Sequence, residues 1–349
     1  MSDFYSDIEQ FRNVVRAVKD RATYVRTEED GTVIRNPNAE LPTLTFIASP
    51  KLHGTSAACR LDCKTGVITP LSRNNELSVI KDNYGFANFV FSNLESFDWL
   101  FDYAKLQLGE FIPDLEKIII YGEWAGPGIQ SGVAISKLED KKFFIFDIKF
   151  IINDKSFWLS HRLLKDVSNN HDRIKFVYDY KLYSINIDFN KPDHYVNQMV
   201  EYVNEVEKEC PVGKSFGISS VGEGLVWAHE INTEYDSLVD IIRYKTKGEL
   251  HSISKVKTLV EVDPEKLNSI SEFVEYAVTD NRLNQMIEHL KRDSIEVNDR
   301  ATGTFLKYLN NDIVKEELDV LTESGLEFKD VVKAVQTAGR KFFLNYIAV

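Results

Sequence analysis

Residues 43 to 56 read TLTFIASPKLHGTS. In the first six, Thr43, Thr45 and Ile47 alternate with Leu44, Phe46 and Ala48, β-branched and apolar residues that suit a strand. Ser49 and Pro50 then break the pattern, and Lys51 stands three residues before Gly54 in a turn. A lysine held at the end of a strand is either a solvated charge or a nucleophile within reach of a substrate. The Lys-x-x-Gly spacing alone does not decide, because Lys214 (KSFG) and Lys245 (KTKG) share it.

Outward from this strand, Lys64-Thr65-Gly66 reads as a hairpin turn between strands at 55 to 62 and 66 to 71. Runs rich in β-branched and aromatic residues predict further strands at KIIIYGEW (117 to 124), KKFFIFDIKFII (141 to 152), EGLVWAHE (223 to 230) and LVDIIRYKTK. Helical spacing of Phe4, Ile8, Phe11, Val15 and Val18 predicts a helix over 4 to 23, and others are expected at 85 to 107, 157 to 168 and 193 to 209. From Asp263-Pro264 onward apolar residues recur every three or four positions, which predicts helices only. Domains commonly run roughly 100 to 200 residues. The expectation is an α+β domain with a mainly antiparallel sheet over 1 to 252, followed by an all-helical domain over 253 to 349.

A chain of 349 residues with 43% hydrophobic and 12% aromatic residues can bury a substantial core. No basic region leads into an apolar stretch at the N-terminus, and no window approaches a membrane span, so a soluble, cytoplasmic monomer is expected. Cys59, Cys63 and Cys210 are too few for a disulfide framework, and Cys59 and Cys63 lack the second pair of a zinc site. A net charge of -12 argues against broad nucleic-acid binding but leaves room for a local basic channel. Residues 241 to 257 offer one, with Arg243, Lys245, Lys247, Lys255 and Lys257 against Glu249 alone.

What separates Lys51 from its two look-alikes is the set of groups that follow in order. Arg73 lies in SRNNEL, Glu123 in YGEWAGPGIQ, Phe146 and Asp147 in FFIFDI, Glu223 in GEGLVWA, and Lys245 and Lys247 in YKTK. This order and spacing resembles the covalent nucleotidyltransferase superfamily of polynucleotide ligases and RNA capping enzymes. YGEWAGPGIQ, the FDI strand and the helical tail look most like the phage-type RNA ligase 2 family, and the resemblance covers nearly the whole chain. It implies an ATP-grasp-like nucleotidyltransferase fold.

The resemblance implies that Lys51 attacks the α-phosphorus of ATP, assisted by His53, to form a lysyl-AMP phosphoramidate. A free lysine has a pKa of about 10.4, so the amine must first lose its proton. Nearby cations favour that loss, and Lys245 and Lys247, two apart on one strand face, could supply them while binding the α-phosphate. The nucleotide contacts implied are Lys51, Leu52, Ser56, Arg73, Glu123, Phe146, Lys245 and Lys247. Arg73 would use its planar fork on ribose or phosphate, Glu123 would accept from a ribose hydroxyl, and Phe146 would stack on adenine. Glu223 would meet Mg²⁺ or Mn²⁺ directly or through water.

The implied activity is ATP-dependent joining of a 3′-hydroxyl to a 5′-phosphate in nicked or bridged duplex RNA. A capping guanylyltransferase using GTP at the same lysine, and an idle RNA-binding relative, are the alternatives. No β-rich domain is read after Lys247, which disfavours capping enzymes and DNA ligases. Two departures stand out. Ser56 occupies a position where the family commonly has asparagine, and Trp227-Ala228-His229 stands where the family often has a lysine, with His229 a candidate substitute.

Overall fold

A computed structural model describes residues 2–109, 112–167, 171–230, 242–248 and 270–348. Its contacts divide the chain into two compact units, Met1–Thr246 and Lys247–Val349. The boundary expected at 252 lies outside the described residues.

The first unit is built on two main sheets. β1 (Tyr24–Thr27) and β2 (Val33–Arg35) form a separate hairpin. The six-stranded sheet contains β4 (Thr55–Asp62), β5 (Ile68–Ser72), β6 (Leu115–Ala125), β7 (Lys142–Ile152), β8 (Lys155–Trp158) and β9 (Ile174–Phe176). Its order is β5-β4-β6-β7-β8, with β9 joined to β7 in parallel and the other pairs antiparallel. The second sheet runs β10 (Tyr183–Asp188), β3 (Thr43–Lys51), β11 (Gly224–His229), β12 (Arg243–Lys247).

Strand alternation decides which residues face the site. In β4, Ala57, Cys59 and Leu61 enter the main core, where α2 (Phe86–Phe91) and α3 (Leu94–Gln107) contribute Phe86, Phe89, Phe97 and Phe101. Ser56, Ala58 and Arg60 therefore face the other way, level with Glu123, Tyr121 and Ile119 on β6. In β3, Leu44, Phe46 and Ala48 are buried, which leaves Ser49 and Lys51 on the opposite face. Lys51 is opposite Gly224 and Ser49 opposite Val226.

The described helices of the second unit are α6 (Ile270–Ala277), α7 (Asp280–Arg292), α8 (Thr302–Glu323) and α9 (Phe328–Ile347), around a core of Phe273, Met286, Phe305, Leu309, Val335 and Phe343. Arg282, with no exposed surface, bonds Asp312 and Glu317 at 2.8 Å each. Among the described residues, no helix is long and apolar enough to cross a membrane.

Three expectations are corrected. Helix α1 starts at Phe11 and ends at Thr23; before it, Asp3 and Tyr5 contact the six-stranded sheet and Glu9 pairs with β12 of the other sheet. The helix expected over 157 to 168 is the end of β8 and a single 3₁₀ turn at His161–Leu164, because Phe157 and Trp158 complete a strand pairing with Lys149 and Phe150. The helix expected over 193 to 209 is a 3₁₀ turn at Pro192–Tyr195 followed by α4 (Val196–Lys208), with the short α5 (Pro211–Ser215) after it.

Candidate active site

The end of β3 brings the nucleophile candidate to a carboxylate. Lys51 Nζ lies 2.7 Å from Glu223 Oε2, and His53 Nδ1 lies 3.3 Å from the same oxygen. Glu223 reaches this position because Gly224 takes a φ of 149°, a conformation open to glycine, just before the regular alternation of β11 begins. The Glu223 side chain is 2% exposed and that of Lys51 is 19% exposed. The pair is thus shielded, the carboxylate more than the amine.

The turn after Lys51 is fixed from β6. Gly54 N donates to Glu123 Oε1 at 2.9 Å, and Glu123 stands opposite Ser56. A Cβ at position 54 would sit 2.5 Å from the Trp124 carbonyl oxygen and 2.8 Å from the Ala125 Cβ. Neither neighbour is a flexible side-chain end, so Gly54→Ala must displace the turn carrying Lys51 and His53. Misplacement by about 1 Å costs on the order of 100-fold in a positioned reaction, and a fall of that size in the nucleotide attachment that the resemblance implies at Lys51 is the expected result.

Burial pushes the Glu123 carboxyl up to about 7. Lys51 and then the Gly54 N–H pull it down, Glu223 pushes it up and Arg73 pulls it down. These four influences place Glu123 in the electrostatic neighbourhood of Lys51, Glu223 and Arg73. Because the folded value lies above the ordinary 4.5, the protonated form is the one the fold favours. That stabilisation is full below about 4.5 and is lost as pH rises through about 7. Glu123→Gln keeps an acceptor for Gly54 and removes the ionisation. The variant is expected to melt higher than the parent at pH 8 and close to it at pH 4, and a difference in Tm that does not change with pH would contradict this.

A bulge sets Phe146. β6 and β7 pair Tyr121 with Asp147 and Gly122 with Ile145, so Phe146 is the extra residue. Gly122 is required there, since a Cβ would lie 2.5 Å from the Phe143 ring and 2.6 Å from the Phe144 carbonyl oxygen. Phe146 is half-buried, with the Tyr5 ring edge-on at 5.0 Å. Asp147 is 2% exposed and accepts from the Tyr5 hydroxyl, with His161 Nε2 at 3.0 Å and an Arg243 nitrogen at 3.4 Å.

Lys245 and Lys247 are half-buried and alternate with buried Tyr244 and Thr246 on β12, the neighbour of β11. Arg73 pairs with Asp7. Leu52 is 6% exposed and belongs to the main core. His229 packs against Phe46 on the buried face, its Nδ1 3.2 Å from the Thr45 carbonyl oxygen. Alternation therefore turns it away from the face shared by Lys51 and Val226, which removes it as a stand-in for the family lysine.

The structure adds residues that sequence reasoning did not single out. Asp3 bonds Arg60 and Lys117, and its carbonyl accepts from the Tyr121 hydroxyl. Glu9 bridges β12 through Arg243 O at 3.1 Å and Lys245 N at 3.0 Å. These acids and Tyr5 belong to no motif, and Phe4 and Ile8 fit a helical spacing.

A model of the RNA ligase family matches residues 44–247, more than half of the chain. The chain belongs to the RNA ligase family. Among solved structures, this RNA ligase family member is similar to the Naegleria gruberi RNA ligase. A lysine-to-methionine mutant of that protein with AMP and Mn matches at 17% identity and a TM-score of 0.43, over 71% of this chain and 57% of that one. A lysine-to-alanine mutant with ATP and Mn gives 18%, 0.42, 71% and 57%, and the protein with PPi gives 18%, 0.42, 71% and 56%. The match thus spans less than two thirds of those chains. No curated protein matches.

Proposed function

We propose that this protein is an ATP-dependent RNA ligase of the RNA ligase 2 type, joining a 3′-hydroxyl to a 5′-phosphate at nicks or bridged breaks in duplex RNA. The observation that carries the reading is Lys51 Nζ at 2.7 Å from buried Glu223, on a turn pinned by Glu123 through Gly54. In the first step the Lys51 amine, freed of its proton, attacks the α-phosphorus of ATP. An N–P bond forms, the bond to the β-phosphate oxygen breaks, and pyrophosphate leaves. An oxygen of the RNA 5′-phosphate then attacks the adenylate phosphorus and releases Lys51. The 3′-oxygen attacks the activated 5′-phosphate and AMP departs.

The roles proposed for the chain follow its geometry. His53, sharing Glu223 Oε2 with Lys51, is placed to orient that carboxylate and assist transfer. Ser56 and Glu123, side by side, are assigned to the ribose, with Arg73 at the strand end beyond them. Phe146 is assigned to the adenine ring, Lys245 and Lys247 to phosphate oxygens, and Leu52 to the wall of the nucleotide pocket. A Mg²⁺ or Mn²⁺ ion fits Glu223, whose carboxylate opens toward the Lys51 amine, and no group of three or more His, Cys, Asp or Glu among the described residues forms a protein cage. That donor set suits an ion held largely by substrate phosphates and water. When bound, the ion supplies Lewis-acid stabilisation of phosphoryl charge.

The test is incubation with α-labelled ATP or GTP and divalent metal, followed by denaturation and detection of acid-labile label on the polypeptide. Label from ATP, chased into a sealed nicked RNA duplex in preference to single-stranded RNA, is the expected result. Label from GTP alone would make the protein a capping-type guanylyltransferase, and no label from either would leave an RNA-binding relative.

A further inference from the structure

Four cations beside the nucleophile's turn take no part in the proposed chemistry. Residues 140 to 142 read DKK and residues 171 to 175 read HDRIK. The parallel pairing of β9 with β7 sets Ile174 beside Phe143 and so gathers both runs at one end of the six-stranded sheet. The Arg173 guanidinium lies 4.6 Å over the Phe89 ring and 5.4 Å over Trp124, and its Nε donates to the Lys141 carbonyl at 2.8 Å. Lys141 Nζ donates to the Tyr84 carbonyl at 2.9 Å. Lys142 Nζ sits 5.3 Å over the Phe216 ring and 3.3 Å from the Asp172 carbonyl oxygen.

The partners of Lys141, Lys142 and Arg173 are thus rings and carbonyls. Among the described residues, Lys141, Lys142, Arg173 and Lys175 form no ion pair within 4.0 Å, although Asp140 and Asp172 are adjacent in sequence. The crowding registers on Lys142, whose amine is held below its ordinary range by burial and then by Lys175, with Asp140 and Asp172 acting the other way. Four cations with two acids beside them leave a local positive excess in a chain of net charge -12, which marks a local anion site.

The cluster is tied to the nucleophile's turn. The Tyr84 carbonyl that receives Lys141 also accepts from Trp124 Nε1 at 3.1 Å, and the neighbouring Asn83 donates to Thr55 Oγ1 at 3.1 Å. Trp124 itself abuts Gly54. The nucleotide's phosphates are assigned to Lys245 and Lys247 on the other sheet, so the phosphates left for this cluster are those of the nucleic acid.

We propose that Lys141, Lys142, Arg173 and Lys175 bind backbone phosphates of the RNA substrate close to the end being joined. This rests on the RNA-ligase reading. It assigns a docking surface to the first unit, with Arg173 held rigid by its two aromatic neighbours and the lysines contributing charge without reading sequence.

The test uses the full chain, a fluorescent nicked RNA duplex and a salt titration from about 50 to 200 mM, the range in which phosphate contacts dominate affinity. Each lost phosphate contact flattens the slope of log affinity against log salt by about 0.9. The double variant Lys142→Gln/Lys175→Gln is expected to bind at least about tenfold more weakly, with a slope flatter by about 2, and Lys142→Arg/Lys175→Arg to restore both. An unchanged slope in the glutamine variant overturns the proposal. So does a matching loss of label transfer from ATP to Lys51, which would give these cations to the nucleotide instead. If the parent protein binds RNA with the expected slope yet accepts no label from ATP, the ligase reading fails while the docking surface stands.

Discussion

Lys51→Arg is expected to abolish nucleotide attachment while leaving the protein folded. The ion pair decides which variant is informative. Glu223 is 2% exposed, and its carboxylate is held by Lys51 at 2.7 Å and His53 at 3.3 Å. Truncating one partner of a buried pair costs about 3–5 kcal/mol, so Lys51→Ala loses both the proposed nucleophile and part of the stability, and an inactive alanine variant has two explanations. Arginine keeps a cation for Glu223 but offers a delocalised guanidinium that stays protonated and does not act as a nucleophile. Labelling from α-labelled ATP should fall below detection in both variants. Tm should fall in the alanine variant and stay close to the parent in the arginine variant. Label retained in Lys51→Arg would move the nucleophile to another residue and remove the basis of the proposed reaction.

The strands carrying this site were legible because their composition is extreme. TLTFIA, KIIIYGEW and KKFFIFDIKFII are rich in β-branched and aromatic residues; the last two form strands within one or two residues of the expected ends, and the first runs three residues further, through Ser49 and Pro50 to Lys51. The helical tail was legible through its periodicity, as in α7, whose Leu283, Met286, Ile287 and Leu290 are buried at the expected spacing. Residues 2 to 10 were not legible. Phe4 and Ile8 fit the phase of a helix, but the backbone of Glu9 bridges β12, and Asp3 and Tyr5 meet Arg60, Lys117 and Asp147, partners 57, 114 and 142 residues away in the chain. Nothing local encodes a contact of that range. The same limit applies to His229, where a candidate role rested on residue type alone and strand alternation put the ring on the buried face. The segment 157 to 168 misled because its apolar spacing suits a helix, while the turn Asn153-Asp154, with both residues at positive φ, folds it back as a strand on β7.

The buried charge cluster behind Phe146 carries the second large effect. Burial raises the Asp147 carboxyl, but Arg243 first and His161 after it outweigh that and hold it below the usual range. A depressed carboxylate stabilises the fold above its ordinary, unfolded pKa of about 3.9, and the contribution is lost as pH falls through the lower folded value. Asp147→Asn keeps one acceptor oxygen, for the Tyr5 hydroxyl, and removes both the charge and the acceptor that faces His161 and Arg243. Arg243, 2% exposed and 4.2 Å over the Trp158 ring, then keeps its aromatic contact without its carboxylate. Removing one partner's charge from a buried ion pair costs about 3–5 kcal/mol, so a drop in Tm on the order of 10 °C is expected at pH 7.5. Below about pH 4 the parent loses the same contribution, and the gap between the two proteins should narrow. The functional consequence follows from the strand: Arg243, Lys245 and Lys247 occupy alternate positions on β12, and the Asp147 pair anchors the first of them to β7. Loosening that anchor is expected to lower nucleotide attachment to Lys51 at pH 7.5, at a temperature well below the variant's Tm. Melting curves at pH 7.5 and pH 3.5 beside a labelling assay distinguish the outcomes, since an equal loss of Tm at both pH values would show that shape and not charge is what Asp147 contributes.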